Sequence, residues 1–517
     1  MESNVSTSVT STTDGDLAWD VEVDVVVLGM GAAGSAAAIE AHEAGCSVIV
    51  LEKMPPGREG GNTRVSGGAW WHNVDPERAA VYLRSLCGDY PVSEPVVKAW
   101  AEETSHNTEW VEKKLGVTTD QVRGAFEDGA GMPVEFPELE GSDVYGGQIA
   151  VDGKLGNSRL FKALARGLEE RGIDVRMATP AKTLVQDPHT SEVIGVEATA
   201  KDGSPLRIAA RRGVVLATGG FEANPHMVRD FLRLPHSVQW GSPGNTGDGH
   251  KMAMKAGADL WHMDNMMAIE GLRVPGHESG MYARFSFRQG FIHVDTDGKR
   301  CVDELPRTGH GTAWVNGQYE HVPQRRVHVV FDEATRLSGP ISPNPDMLPV
   351  GWSLLVDGYA WSADNSVEID NGWIHRGETL EELAEKIEVN PDVLVRTVAR
   401  WNAACANGED EQFGRRADTL EALGEGPYYA FTSGPMLGWT NGGPRRDENC
   451  RVLDPFGEPI PGLFAAGSVS STYSWGKDGG FHIGDALAFG RIAGRNASTR
   501  TAMTGQAGQP THAGGSR

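Results

Sequence analysis

Residues 24–53 read DVVVLGMGAAGSAAAIEAHEAGCSVIVLEK, and this stretch decides the fold. Asp24 to Leu28 is a short buried-strand run. Gly29, Gly31 and Gly34 then spell G-x-G-x-x-G, and Ala32 to Ala44 reads as a helix rich in small residues. Cys46 to Leu51 is a second buried strand that ends on Glu52. The first glycine permits the tight turn, and the second lets a pyrophosphate approach the backbone. The third lets the helix pack close to the strand. The N-terminus of the helix turns free N–H groups and its positive dipole end toward the phosphates. Glu52 can accept hydrogen bonds from a ribose diol, which favours an adenosine without a 2′-phosphate. A lone G-x-G-x-x-G says little. With the strand, the helix and the acid in place, it reads as a dinucleotide-binding βαβ unit.

At 517 residues the chain is long enough for two or three domains. Its net charge is −23 and it has no basic run, so nucleic acid and anionic membrane surfaces are poor partners. Cysteines stand at 46, 87, 301, 405 and 450, with no C-x-x-C pair, so no metal ribbon, haem attachment or ferredoxin pattern can be read. An odd count without pairing logic suits a reducing compartment, and no apolar stretch is long enough to span a bilayer. The Ser/Thr-rich residues 1–20 and the Gly-rich residues 501–517 read as disordered tails. The expectation is a cytoplasmic protein with no metal and no stable membrane insertion.

After Lys53 comes a glycine-rich loop, KMPPGREGGNTRVSGGAWW, in which Asn62, Thr63 and Ser66 are suited to a phosphate or a ring edge. Helices are expected at Pro76 to Cys87, Pro91 to Leu115 and Ser158 to Arg171. Strands at Asp174 to Met177, Ala181 to Val185 and Val193 to Ala198 form a meander. GVVLATGGFEANP, residues 213–225, is a strand running into a Gly-Gly turn, which usually brings backbone close to something bulky. Asp248 stands near a helix start, where capping alone would also explain it. From 269 to 427 short strands and prolines alternate and two helices follow, at Leu380 to Ile387 and Pro391 to Asn407. Leu463 to Gly467 and the helix after it return to the strand–glycine–helix pattern of the N-terminal part. The expected division is a cofactor domain in two parts, 21–268 and 428–500, with a second domain, 269–427, inserted. Sites between two domains are the usual place to hold a substrate against a cofactor.

The stretches already quoted, with GGNTRVSGG, GDGHKMAMKAGA, DGKRCVDE, TNGGPRRDENCRVLD and PGLFAAGSVSSTYSWGKDGGFHIGDALAFGRIAG, cover most of residues 23–496. They resemble the flavoprotein group of soluble fumarate reductases, succinate dehydrogenase flavoprotein subunits and 3-ketosteroid dehydrogenases. The resemblance implies an α/β fold: a split FAD-binding Rossmann-like domain of the glutathione-reductase type, with an inserted α+β capping domain. It implies FAD contacts from Gly29, Gly31, Ala32, Ala33, Gly34, Glu52, Lys53, Gly61, Asn62, Thr63, Ser66, Gly67, Gly68, Ala181, Thr218, Gly219 and Asp248. Gly467, His482 and Ile483 would reach the isoalloxazine. The helix beginning near Gly480 would aim its N-terminus at the flavin O2 edge. In membrane-bound relatives a histidine tethers the flavin; Asn62 falls at that position, so the FAD is expected to be non-covalent.

The dicarboxylate clamp of fumarate reductases is mostly missing from this pattern. Its two histidine positions fall on Ile269 and Gly438, and its carboxylate-binding arginine becomes Lys477. Arg307 best matches the proton-donating arginine, and the acid–arginine relay falls on Arg284 and Phe287. Lysine loses the bidentate grip of arginine on a carboxylate. Trp70, Trp71, Trp439, Tyr473 and Trp475 lie in stretches expected near the flavin, and Trp71, Trp439 and Trp475 are taken as substrate contacts. Arg307, Tyr473 and Lys477 are the catalytic candidates. The implied activity is oxidoreduction of a Cα–Cβ bond beside a carbonyl, with hydride passing to flavin N5. The expected reaction is dehydrogenation of a bulky apolar cyclic ketone of the 3-ketosteroid kind. Reduction of an α,β-unsaturated acid other than fumarate is the alternative, and a flavin electron-transfer protein is the alternative class. The partners would be a small-molecule substrate and an external electron acceptor or donor.

Overall fold

The computed structural model describes residues 18–123, 134–283, 285, 288–305, 312–315, 318–321, 326–342 and 349–502. The expected tails lie almost wholly outside them. Two large sheets organise the rest.

The first sheet grows from the quoted βαβ unit. Strand Val21–Leu28 pairs in parallel with Val48–Leu51 on one side and Pro205–Leu216 on the other, with Leu28 level with Leu51 and Leu216. Pro459–Ala465 and Asp174–Arg176 extend the parallel run at its two ends. Of the expected meander, Ala181–Gln186 and Val193–Thr199 pair antiparallel and Pro205–Leu216 joins them, whereas Asp174–Arg176 stands apart on the parallel run. Val25, Val26 and Val27 are wholly buried, as continuous apolar strands covered on both faces should be. On one face two helices cross, Ala32–Glu43 and Phe481–Thr499. The crossing is so close that a Cβ on Gly490 would stand 2.4 Å from the Ala33 carbonyl oxygen. A Cβ on Gly494 would stand 2.3 Å from that of Ala37. Small residues on both helices are therefore required by the approach of the two backbones.

The second sheet is built around one long strand, Tyr428–Thr440. Met266–Leu272 pairs with it antiparallel, Ile269 opposite Met436, and Val327–Asp332 pairs on its other part. Phe291–Val294, Met281–Tyr282, Val238–Gln239 and His375–Gly377 complete the sheet. It is wider than the expected insertion 269–427, because it takes in Val238–Gln239 and all of Tyr428–Thr440. The expected boundary at 268/269 falls inside Met266–Leu272.

One helix expectation needs correction. Pro91 to Leu115 is two helices, Glu94–Ser105 and Asn107–Leu115, broken at His106. The break turns Asn107 inward, where its Oδ1 accepts from Arg491 at 2.7 Å and its Nδ2 donates to the Gly484 carbonyl at 3.0 Å. Tertiary hydrogen bonding to the last helix outweighs the local periodicity. Among the described residues no helix is long and apolar enough to cross a membrane.

Candidate functional site

The C-terminal ends of the parallel strands open into a cleft, the place where such sheets bind ligands. Gly29, Gly31, Ala32, Ala33, Glu52, Lys53, Gly61, Asn62, Thr63, Ala181, Thr218, Gly219 and Asp248, all expected cofactor contacts, line it together. Gly29 has φ +102°, and a Cβ there would lie 2.3 Å from the Ala217 carbonyl oxygen, so only glycine fits this turn. The helix beginning at Ala32 has no side-chain cap of its own. Its Ala32 N–H is instead taken by the Thr63 hydroxyl at 2.9 Å, which brings the Asn62–Thr63 loop against the turn.

Glu52 is 6 % exposed. Its carboxyl accepts from the backbone N–H groups of Met54 (2.8 Å), Met30 (3.3 Å) and Gly60 (3.4 Å). Burial pushes its pKa up against those hydrogen bonds. Lys53 reaches Asp248 and the Thr246 hydroxyl, each at 2.7 Å. Burial works against the Asp248 charge, but the Lys53 ammonium outweighs it and the carboxyl stays below its usual range. Asp248 does not cap its helix: Gly247 is the cap residue, and Asp248 is spent on Lys53 and Thr246.

Other expected contacts act from behind the cleft wall. A Cβ on Gly34 would fall 2.0 Å from the Gly29 carbonyl oxygen, so Gly34 serves helix–turn packing. The Ser66 hydroxyl is used within its own loop, bonded to the Thr63 carbonyl and the Gly68 N–H. Gly467, with φ +76°, lies under the same turn, its Cβ direction 2.9 Å from Ala33 Cβ, and its neighbour Ser468 lines the cleft. Sequence reading missed Ser242 and Asn245 as lining residues, although they flank the Gly-Asp-Gly segment that drew notice.

At the start of the last helix the character changes. Gly480 opens the helix Phe481–Thr499 with φ +80° and no side-chain cap. The His482 ring lies 4.7 Å from that of Trp439, and Ile483 packs against the main core. Lys477 is 4 % exposed and donates to the Met266 carbonyl at 3.0 Å. Burial lowers its pKa to about 8, with Glu135 acting in the opposite sense. Next to it, Asp478 accepts from Tyr82 Oη (2.7 Å) and from the N–H groups of Glu135 (3.1 Å) and Gly479 (2.7 Å). Burial, joined by the Glu135 carboxyl, still pushes Asp478 up to about 7. Neither Asp478 nor Tyr82 carried a recognisable sequence signal.

Two expected site residues at this end sit in the core. Tyr473 is wholly buried; its O–H donates to the Phe481 carbonyl at 2.7 Å and its oxygen accepts from Trp100 Nε1 at 2.9 Å. Both hydrogen-bonding roles of the phenol are spent inside the core. Trp71 is 1 % exposed and stacks on Trp100 at 5.3 Å in the same core. Trp475 is half-buried and stacks on Tyr90 at 5.3 Å. Trp439 packs with Trp240, Tyr282, Met267, Ile269 and Met436 in an apolar cluster. Arg307, Arg284 and Phe287 lie outside the described residues.

The cleft fits the ADP end of FAD. It offers a bare-backbone turn, a buried acid at the tip of the second strand, and a buried Thr218 hydroxyl with no hydrogen-bond partner among the described residues. Comparison with known proteins agrees. The model of the FAD binding domain family matches residues 24–481. Urocanate reductase of Eggerthella lenta is 29 % identical over 92 % of this chain and 75 % of its own length. The 3-oxosteroid 1-dehydrogenase of Mycolicibacterium smegmatis is 28 % identical over 91 % of this chain and 96 % of its own. In fold, the chain is similar to 3-ketosteroid Δ1-dehydrogenase from Sterolibacterium denitrificans, with a TM-score of 0.74 at 24 % identity, covering 92 % of this chain and 99 % of that one.

Proposed function

This chain belongs to the FAD binding domain family and is an FAD-dependent oxidoreductase of the CH–CH class, and on that premise we propose that it dehydrogenates a bulky apolar cyclic ketone of the 3-ketosteroid kind. A proton leaves Cα and a hydride leaves Cβ. Bound FAD supplies the hydride acceptor; the protein binds, orients and handles the proton. The observation that carries this reading is the apolar cluster at the clamp positions. Ile269 stands in it with Met267, Met436, Trp240, Trp439 and Tyr282, and Gly438 adds no side chain. Such a wall suits a flat apolar ring and leaves a dicarboxylate without partners.

Lys477 is the donor in this scheme. A buried ammonium beside a ketone oxygen stabilises the enolate-like charge that develops as the Cα proton departs. Arg307 is retained for that proton on the resemblance alone. The FAD is held without a covalent bond, since the Asn62 amide offers no nucleophile where the tethering histidine of membrane-bound relatives would stand. The second sheet, together with the rest of residues 269–427, acts as an α+β cap over a split cofactor domain of the glutathione-reductase type. Electrons leave to an external acceptor.

Lys477 also gives the alternative some ground, because one cation can hold one carboxylate. Anaerobic titration of the FAD-loaded protein separates the readings. Loss of the yellow absorbance on adding a 3-ketosteroid, with no reoxidation of the chemically reduced protein by urocanate or an acrylate, is expected. The reverse pattern makes the chain a reductase of unsaturated acids. Failure with every carbonyl compound, alongside rapid exchange with a redox protein, makes it an electron carrier. Lys477→Ala should bind FAD normally and lose turnover; an unchanged kcat/KM removes Lys477 from the scheme.

A further inference from the structure

Behind the cleft wall lies a buried carboxyl that the proposed chemistry does not use. Glu222 is 4 % exposed. Its Oε1 accepts from Asn62 Nδ2 at 2.8 Å and from Asn245 Nδ2 at 2.6 Å, and its Oε2 accepts from Thr440 Oγ1 at 3.4 Å. All three partners are neutral. Burial raises the pKa of Glu222, and only hydrogen bonds oppose it. A buried carboxyl without a counter-charge is an expensive way to build a wall, because a neutral or apolar side chain would cost less.

The partners come from three separate segments. Asn62 and Asn245 line the cofactor cleft, whereas Thr440 ends the long strand of the second sheet. Asn62 reaches that strand a second time, donating to the Gly438 carbonyl at 3.0 Å. Its Oδ1 accepts from the Ser242 N–H at 2.8 Å. The Thr440 hydroxyl in turn accepts from the Phe221 N–H at 2.9 Å. The packing leaves no slack. A Cβ on Gly220 would stand 2.3 Å from Thr440 Oγ1 and 2.4 Å from Glu222 Oε2, and one on Gly219 would stand 2.6 Å from Asn245 Oδ1. Trp439 lies between the two tied residues, Gly438 and Thr440, and faces the apolar cluster.

We propose that Glu222 is a positioning residue that couples occupancy of the cofactor cleft to the strand Tyr428–Thr440, and through Trp439 to the substrate side. A cofactor that fixes Asn62 and Asn245 fixes the Glu222 carboxyl, and the carboxyl fixes Thr440. By reciprocity, anything that steadies the strand around Trp439 tightens the cofactor. The inference rests on the cleft taking FAD and on Trp439 facing substrate.

Hydrogen–deuterium exchange on the full chain, with and without FAD, tests it without any substrate. In the wild type, FAD should slow exchange both at 29–34 and at 436–440. Glu222→Gln should behave alike, because its amide oxygen still accepts from both asparagines and its amide nitrogen can donate to Thr440. Glu222→Ala should bind FAD about ten- to a hundredfold more weakly. At saturating FAD it should keep the slowing at 29–34 and lose most of it at 436–440, the direct Asn62–Gly438 bond keeping the rest. Thr440→Val, a good strand residue that removes the bond to Glu222 together with the acceptor of the Phe221 N–H, should lose the same slowing with FAD affinity within about threefold. It decides the matter if Glu222→Ala does not fold. Slowing at 436–440 that persists in full in these two variants, or that is missing from FAD-loaded wild type, overturns the coupling. A wild-type chain that binds no FAD refutes the cofactor assignment instead, and that result is read at 29–34.

Discussion

At the Gly29 turn the functional groups are backbone, set by a strand, a turn and a helix that follow one another in the chain. Between Lys477 and His482 they are side chains and carbonyls that meet Met266, Trp439, Glu135 and Tyr82, which are far apart in sequence. The first arrangement tolerates no added atom, since one Cβ on Gly34 would collide with the Gly29 carbonyl. The second is a balance of charge and burial, with an ammonium lowered to about 8 next to a carboxyl raised to about 7. Steric constraint shapes the cofactor cleft, and electrostatic tension shapes the end where the proposed chemistry is placed. Mutation should therefore break the two ends in different ways.

The largest effect belongs to the steric end. Gly34→Val should cost about 3 kcal/mol or more, because the clash is with backbone that cannot move aside. The purified variant should be colourless and melt early. A yellow, stable Gly34→Val would show that the turn is softer than the packing implies.

Lys477→Met should separate stability from activity. Turnover should fall about 10²- to 10³-fold, as for loss of one donor to a developing oxyanion. The fold should gain about 1–2 kcal/mol, because removal of a buried ammonium outweighs the Met266 carbonyl left unpaired. The pH dependence sharpens the point. Between about 8 and the ordinary lysine value of 10.5 the folded protein binds fewer protons at this group than the unfolded chain. Wild-type stability should therefore rise relative to Lys477→Met across that window, by on the order of 2–3 kcal/mol. Over the same window kcat/KM of the wild type should decline as the ammonium is lost. Parallel melting curves of the two proteins at pH 7 and pH 10 check the sign.

Tyr473→Phe should have the smallest functional effect. It strips a donor from the Phe481 carbonyl and an acceptor from the Trp100 indole, at a cost of about 1–2 kcal/mol. Its kcat should stay close to that of the wild type. A fall in kcat beyond tenfold would return the phenol to the reaction.

The same contrast governs what could be read from the amino acids alone. The glycines, Glu52, the 61–63 loop and the Gly-Asp-Gly segment were legible because backbone sites need particular residues at fixed spacing. The core burial of Trp71 and Tyr473 was not legible, because an aromatic residue near a cofactor motif looks the same whether it faces the ligand or the core. Only the contacts with Trp100 and Phe481 decide that. Glu222 stood within a quoted stretch, but its role depends on Asn62, Asn245 and Thr440 meeting in space. The strand Tyr428–Thr440 was assigned to the first domain for the same reason: its partners lie elsewhere in the chain.

The crossing of Ala33 and Ala37 with Gly490 and Gly494 has a consequence for biosynthesis. The helix that follows the first strand leaves the ribosome long before the helix that covers it. Until then its alanine face has no lid, and the nascent chain must be shielded by chaperones or remain loosely collapsed. Premature termination anywhere upstream of Gly490 should yield a product that is degraded, never a half-working enzyme.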